Sequence, residues 1–72
     1  MRKTIEYYGK TYTVLDWVKY VATDKDGLIC GYASIPQSCG DWWVCDGDDL
    51  AFSAIARLDG EVENYRETLR GV

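Results

Sequence analysis

The sequence of 72 residues contains no histidine. Histidine is the commonest general base and, beside serine or cysteine, the usual activator of a nucleophile, so its absence excludes these mechanisms and every metal site that uses imidazole. A chain of this length also has little depth for a cleft in which two carboxylates share acid and base roles. We therefore expect a protein that is not an enzyme and that carries no cofactor.

Long hydrophobic runs are missing as well. Apolar stretches such as Leu50 to Phe52 are far shorter than the roughly 20 residues that cross a bilayer. The chain starts with the positive Met1-Arg2-Lys3, but Glu6 and a turn at 7–10 follow where a signal peptide has its apolar region. The sequence therefore predicts no membrane contact and a protein that stays in the compartment where it is made.

Cysteine is limited to Cys30, Cys39 and Cys45. An odd number without an export signal favours reduced thiols over a disulfide framework. Three cysteine ligands, with five residues between Cys39 and Cys45 instead of two, are a poor match to a structural zinc site. The neighbouring aspartates disfavour the thiolate form, and therefore a cysteine nucleophile. We expect no metal site here, and Cys30 and Cys45 as small buried apolar residues.

Basic residues are too few to bind nucleic acid directly. The net charge is −4, and residues 21–50 carry six aspartates against the single Lys25. Affinity for phosphates comes mostly from lysine and arginine, so this distribution excludes a nucleic-acid groove. An acidic face is instead complementary to a basic surface on a protein partner.

What the sequence does contain indicates one compact domain over residues 1–72. It is 47% hydrophobic and 14% aromatic, well above a disordered chain. At this length we expect room for one small core. In residues 61–72, Tyr65 and Leu69 at i and i+4 are compatible with a single turn or with a mobile segment.

The pattern of β-branched and aromatic residues predicts a mainly β fold, a small antiparallel sheet of consecutive hairpins with about five or six short strands. Residues 3–14 form the first hairpin, around a type II′ turn at Gly9-Lys10. Leu15-Asp16-Trp17 predicts a corner. The strand after it has three residues on one side, namely Val18, Tyr20 and Ala22.

The second hairpin turns at Asp24-Lys25-Asp26-Gly27 and returns through residues 28–34. Residues 35–40 hold the only proline and predict a surface loop, and 41–45 a short aromatic strand. Residues 50–58 are ambiguous. As a strand they place Phe52, Ala54, Ala56 and Leu58 on one face, whereas a helix over about 48–59 gives an α+β fold with Asp48 or Asp49 as N-cap.

Two acidic segments are candidates for a cation site. Asp24-Lys25-Asp26-Gly27 begins like a calcium loop, but the glutamate required at position 12 is Ile35 here. Asp46-Gly47-Asp48-Asp49 is equally acidic and equally incomplete. We expect two β-turns with aspartate side chains bonded to the backbone. A weak calcium or magnesium site formed by both loops is the alternative.

Trp42-Trp43 is the most unusual feature. Successive residues of a strand point to opposite faces, so one tryptophan can pack in the core while the other is an exposed contact anchor. In the alternative both are covered, the outer one by the tail around Tyr65 and Leu69. The predicted partner-binding residues are Tyr32, Asp41, Trp42, Trp43, Asp46, Asp48 and Asp49.

Residues 14–27 (Val-Leu-Asp-Trp-Val-Lys-Tyr-Val-Ala-Thr-Asp-Lys-Asp-Gly), continuing through Gly31-Tyr32, Pro36 and Trp42-Trp43, resemble small uncharacterised accessory proteins of tailed bacteriophages. The shared pattern is a tryptophan before a short strand, an Asp-x-Asp-Gly turn, an aromatic return strand, a proline and a tryptophan, with a closing segment similar to 64–69. The pattern covers roughly residues 5 to 70. Leu15 departs from it, standing where a proline is expected, as do residues 33–35, which replace a more polar stretch.

The resemblance implies a viral protein made in the host cell cytoplasm, and it favours a strand at 52–58. Such proteins often act by occupying a host enzyme, a transcription component or a defence protein. We therefore expect a non-catalytic host inhibitor that binds a basic protein surface, as a monomer or a homodimer. The alternative is a protein that sequesters a nucleotide between aromatic rings of two subunits, which the acidic surroundings disfavour.

Overall fold

The computed structural model describes residues 1–44 and 52–72, so the predictions for Cys45, Asp46, Asp48 and Asp49 lie outside the described residues. Within these ranges the fold is mainly β, as predicted, with no α-helix. Eight short strands and one 3₁₀ turn follow one another: β1 (Arg2–Tyr7), β2 (Lys10–Leu15), β3 (Tyr20–Thr23), β4 (Leu28–Tyr32), β5 (Gln37–Cys39), β6 (Trp42–Val44), β7 (Phe52–Arg57), the 3₁₀ turn (Tyr65–Glu67) and β8 (Arg70–Gly71).

The strands form three antiparallel sheets. A central sheet has the order β7-β4-β3-β8, and it lies between two hairpins, β1-β2 and β5-β6. Consecutive strands therefore pair as predicted, but the edges of the central sheet are supplied by β7 and β8 from the end of the chain. No helix in the described ranges is long and apolar enough to cross a membrane.

The first hairpin turns one residue earlier than predicted. Tyr7 pairs with Lys10, so Tyr8 and Gly9 are the loop, and both have positive φ, 50° and 74°. Positive φ at both central residues is the pattern of a type I′ turn, and the predicted type II′ turn at Gly9-Lys10 is wrong. The ring of Tyr8 lies against Arg70 from the end of the chain, a contact that helps to stabilise this rare conformation for tyrosine.

The interior is divided between the two faces of the central sheet. Val21 and Ala22 are neighbours on β3, yet both are 1% exposed or less, because each points into a different cluster. Val18 joins the cluster of Val21, so it does not share a side with Tyr20 and Ala22 as expected. The prediction of one small core is therefore wrong, because the described residues form two hydrophobic clusters.

Each cluster is closed by a different hairpin. The β1-β2 hairpin covers one face with Ile5, Tyr7 and Val14, which pack on Val21 and Ile29. The other face is covered by β6 and the 3₁₀ turn, and its buried residues are Ala22, Cys30, Tyr32, Trp43 and Tyr65. A three-layer arrangement results, in which β3 and β4 are buried on both sides.

The structure differs from the prediction of a surface loop over residues 35–40. Residues 37–39 of the expected surface loop form β5, which pairs with β6 around Gly40, at φ 63°, and Asp41.

Residues 52–57 form β7, so the strand interpretation holds there and the helix is wrong for the described part of 48–59. Ile29 pairs with Ala56 but Cys30 with Ala54, so Ile55 is the extra residue of a β-bulge that interrupts the single face predicted for this strand.

The C-terminal segment is attached to the central strand by hydrogen bonds. The Thr23 backbone N–H donates to Thr68 Oγ1 at 2.9 Å, and the Tyr7 hydroxyl donates to the Thr68 carbonyl at 2.8 Å. Beyond this contact, β8 pairs with β3, and the Val72 N–H donates to the Lys19 carbonyl at 2.9 Å. The single turn proposed for the tail is the 3₁₀ turn at Tyr65–Glu67.

Candidate functional site

Trp43 is the inner member of the tryptophan pair. It is 9% exposed, and its indole N–H donates to the carbonyls of Thr23, at 2.9 Å, and Tyr65, at 3.2 Å. Its ring also meets the ring of Tyr65 edge to face, with 6.3 Å between centroids. A side chain held in this way is a core residue, which corrects its assignment as a contact anchor.

Trp42 is the outer member. Because it precedes Trp43 on the same strand, its side chain points to the opposite face of the β5-β6 hairpin, where it is 54% exposed. The alternative in which both tryptophans are covered, one by the sheet and the other by the tail, is therefore wrong. Trp42 therefore presents an exposed aromatic ring on a strand whose next residue is anchored in the core.

Tyr32 was the other predicted aromatic contact, and the structure places it in the core. It is 4% exposed, and its ring is stacked with that of Phe52, with 6.4 Å between centroids and 30° between planes. The outermost aromatic ring of this pair belongs to Phe52, which is 63% exposed. Tyr32 is therefore a core residue of the second cluster, which corrects its assignment as an exposed contact residue.

The Asp24–Gly27 turn directs two carboxylates to the surface beside Trp42. As predicted, both carboxylates bond to the backbone: Asp24 Oδ1 accepts the Trp43 N–H at 2.8 Å, and Asp26 Oδ1 accepts the Leu28 N–H at 3.1 Å. Gly27, at φ 94°, closes the turn where a Cβ atom would lie 2.7 Å from the Leu58 carbonyl oxygen. These bonds give the two carboxylates defined positions.

Backbone hydrogen bonds join this turn to two others. The Lys25 N–H donates to the Asp41 carbonyl at 2.9 Å, and the Val62 N–H donates to the Lys25 carbonyl at 2.8 Å. The three segments enclose a pocket of about 390 Å³. We call it the Trp42 surface; its lining residues are Asp24, Lys25, Asp26, Asp41, Trp42 and Glu61.

The charge of the Trp42 surface is strongly negative. Four carboxylates face one ammonium group, that of Lys25, whose Nζ is 3.9 Å from Asp41 Oδ1. Arg57 Nη1 lies 3.3 Å from Asp26 Oδ2 at its margin. Both pairs are exposed, and exposed pairs contribute only about 0 to 1 kcal/mol, so a partner's cation can replace either of them.

The two aspartates of the turn differ in pKa. Burial raises the pKa of Asp24, with the Trp43 N–H acting against it and the charge of Asp26 adding to it. The hydrogen bond from the Leu28 N–H lowers the pKa of Asp26, and Arg57 acts in the same direction. Asp26 therefore stays ionised at lower pH than Asp24.

The two described thiols differ in exposure. Cys30 is buried, and burial together with the Asp24 carboxylate raises its pKa to about 11. Cys39 is exposed and pairs with Trp42 across the hairpin. Residues 1–44 and 52–72 contain no group of three or more cysteine, aspartate or glutamate residues that could hold a metal ion.

The structure thus brings together two of the predicted contact residues, Asp41 and Trp42, with others that sequence reasoning missed. The sequence predicts Asp24 and Asp26 as turn residues, with a weak cation site as the alternative, and not as contact residues, although an Asp-x-Asp turn is expected to lie at the surface. Glu61 reaches the surface through the Val62 to Lys25 hydrogen bond, which links segments far apart in sequence and has no local signature.

Compared with protein-family models, with curated proteins and with solved structures, the chain matches none. The resemblance to small phage proteins therefore stays a prediction.

Proposed function

We propose that this chain is a non-catalytic binding protein whose Trp42 surface docks onto a basic surface of a protein partner. The observation that supports the proposal is the exposure of Trp42, 54%, at the edge of a pocket lined by four carboxylates. Tryptophan is enriched among the residues that dominate interfaces, and carboxylates around it select for a cationic partner.

The pocket suits a lysine or arginine side chain. Its cation would lie among Asp24, Asp26 and Asp41 while its aliphatic stem packs along the Trp42 ring, and a cation over the face of a tryptophan is attracted to it. The surrounding negative charge accelerates the approach of a basic partner and makes the association sensitive to salt. A nucleotide phosphate would be repelled by the same carboxylates, so the nucleotide-binding alternative is not favoured at this surface.

The resemblance described above supports a biological setting for this binding. We place the chain among phage accessory proteins that act in the host cytoplasm by occupying a host or host-defence macromolecule. Binding alone is sufficient for such a role, in keeping with a sequence that has no histidine.

The test is a capture experiment from bacterial lysate with matched variants. Wild-type chain, Trp42→Ala, Asp26→Asn/Asp41→Asn and Phe52→Ala are immobilised, and bound proteins are identified by mass spectrometry at low and high salt. Phe52 is the control because it is an exposed aromatic residue outside the Trp42 surface. We expect a defined protein to be captured by wild type and Phe52→Ala, to be lost from the other two variants, and to be released by salt.

The proposal is overturned if the wild-type chain captures no protein at low salt. It is equally overturned if Trp42→Ala and the double aspartate variant retain the same protein in the same amount as wild type.

A further inference from the structure

In the described part of the chain, three cations lie at the Trp42 surface. Lys25 is the one that lines the pocket, and Arg57 and Arg66 lie outside the lining. Arg57 is paired at the margin, as described above. Arg66 interacts electrostatically with Asp41, while its Nε donates to the Tyr65 hydroxyl at 3.2 Å. The carboxylates of this surface are therefore partly neutralised within the chain, so its affinity for a partner's cation depends on how easily these three are displaced.

The backbone of Lys25 is fixed at the centre of the surface. Its N–H donates to the Asp41 carbonyl at 2.9 Å, and its carbonyl accepts the Val62 N–H at 2.8 Å. The side chain therefore starts from a defined point between the β5-β6 hairpin and the segment that contains Glu61. Since only the four-carbon stem is free to rotate, the ammonium group stays close to the surface even when it is not paired.

The ion pair of Lys25 with Asp41 is longer than that of Arg57 with Asp26. Lys25 Nζ lies 3.9 Å from Asp41 Oδ1, compared with 3.3 Å between Arg57 Nη1 and Asp26 Oδ2. The Lys25 side chain is 43% exposed and that of Asp41 is 66% exposed. An exposed pair of this kind contributes little to stability. Lys25 is therefore the cation of this surface that is easiest to displace.

We infer, on the basis of the proposed function, that Lys25 is a tethered counter-ion that competes with the partner's cation. In the free protein its ammonium group pairs with Asp41, and a lysine or arginine of the partner takes over this carboxylate while packing on Trp42. Lys25 thereby sets the affinity of the Trp42 surface for basic ligands. Removing its charge should make the surface bind them more tightly.

A general effect of charge is the competing explanation. Any cation beside four carboxylates weakens the attraction of a second cation through its field alone. The two explanations differ in the part played by Asp41. Competition requires the carboxylate that the two cations share, whereas the field of Lys25 acts on the ligand whether or not residue 41 is charged.

The experiment measures the affinity of the full chain for a short oligo-arginine peptide with blocked termini. The peptide is titrated into ¹⁵N-labelled chain at about 0.15 M salt and followed by two-dimensional NMR. The variants are Lys25→Met, which keeps an apolar stem of similar length, Asp41→Asn and the double variant. We expect Lys25→Met to bind the peptide about three to five times more tightly than wild type, the range that an exposed ion pair allows. In the Asp41→Asn background, the same replacement should change affinity by less than about 1.5-fold.

Arg66→Met is the matched control. It removes the same charge close to Asp41, but from a residue that does not line the pocket. Competition predicts a peptide affinity within about 1.5-fold of wild type, whereas a field effect predicts a gain similar to that of Lys25→Met. The backbone amide spectrum of each variant shows whether the fold is retained.

The inference is overturned if Lys25→Met binds the peptide no more tightly than wild type, if its gain is the same with and without Asp41, or if Arg66→Met gains as much. The proposed function survives these three outcomes as long as Trp42→Ala loses the peptide. If the peptide binds none of the variants, or binds Trp42→Ala as tightly as wild type, the proposed function fails and the competition by Lys25 fails with it.

Discussion

The indole N–H of Trp43 donates a hydrogen bond of 2.9 Å to the carbonyl oxygen of Thr23. A second carbonyl, that of Tyr65, lies 3.2 Å from the same nitrogen. One side chain thereby connects β6, the central strand β3 and the 3₁₀ turn. Because this bond determines which way Trp43 points, it also determines that Trp42 points outward.

Replacing Trp43 by phenylalanine should destabilise the fold. The substitution keeps an aromatic ring but leaves the Thr23 and Tyr65 carbonyls without this donor, and we expect a loss of about 2 to 3 kcal/mol in the free energy of unfolding. Urea denaturation followed by far-UV circular dichroism measures it. Trp42→Phe is the control and should stay within about 0.5 kcal/mol of wild type. Equal losses in the two variants would contradict the assignment of inner and outer faces.

Asp24 should oppose stability at neutral pH. Its pKa in the folded state is raised above the ordinary value of 3.8, so the folded state binds more protons between the two values, and stability falls as the pH rises through this window. Asp24→Asn keeps an oxygen for the Trp43 N–H and removes the charge. We expect it to be more stable than wild type near neutral pH and to lose this advantage in acid.

Asp26→Asn is the matched control for this pH series and should behave in the opposite way. The pKa of Asp26 is lowered in the folded state, so its ionised form contributes stability above the unfolded value, and that contribution is lost as the pH falls through the folded pKa. Urea midpoints at about pH 3 and about pH 7 distinguish the two variants. If both variants shift the urea midpoint in the same direction at about pH 7, burial is not the dominant influence on the pKa of Asp24.

The two described thiols should differ sharply in reactivity. In a Cys45→Ser background, Cys39 is exposed and Cys30 is buried with its pKa raised to about 11. With a thiol reagent at about pH 8 we expect one equivalent to react quickly in the folded protein and the second only in urea. The absorbance of the released leaving group reports both phases. Rapid reaction of two equivalents without urea would contradict the burial of Cys30.

Gly27 should tolerate substitution less well than Gly60. Both have positive φ, at 94° and 83°, so alanine strains the backbone at each. At Gly27 the new Cβ would also lie 2.7 Å from the Leu58 carbonyl oxygen, whereas at Gly60 no described atom lies within 4 Å. We expect a loss of about 1 kcal/mol for Gly60→Ala and at least about 2 kcal/mol for Gly27→Ala, measured by urea denaturation. Equal losses in the free energy of unfolding would mean that the Leu58 carbonyl moves away from the new Cβ atom without cost.

Much of the fold is predicted by turn residues and by the β-branched residues that flank them. The Asp-x-Asp-Gly segment at 24–27 and the β-branched flanks of Gly9 predicted both of the first hairpins, because turn residues act over a few positions. The one-residue error at Tyr8 arose from a distant partner: Arg70 holds a tyrosine where glycine or asparagine is usual. β5 had no signal of its own, since Gln37, Ser38 and Cys39 form a strand only by pairing with β6.

The exposed surfaces are harder to predict from the sequence than the turns. The sequence predicts both Trp42 and Trp43 as contact residues, because strand alternation points adjacent side chains to opposite faces. Which of them is exposed depends on the carbonyls of Thr23 and Tyr65, and these meet only in the folded chain. The concavity beside the first hairpin is lined by Tyr7, Tyr8 and Tyr12 from the hairpin and by Asn64 from a distant segment, and the sequence alone does not bring the two together.

The position of Thr68 and Arg70 beside β3 has a consequence for biosynthesis. Until these residues emerge from the ribosome, β3 lacks one neighbouring strand, and the Tyr7 hydroxyl and the Thr23 backbone N–H lack their partners at Thr68. A nascent chain that stalls before this point therefore exposes an open strand edge, which attracts chaperones and proteases.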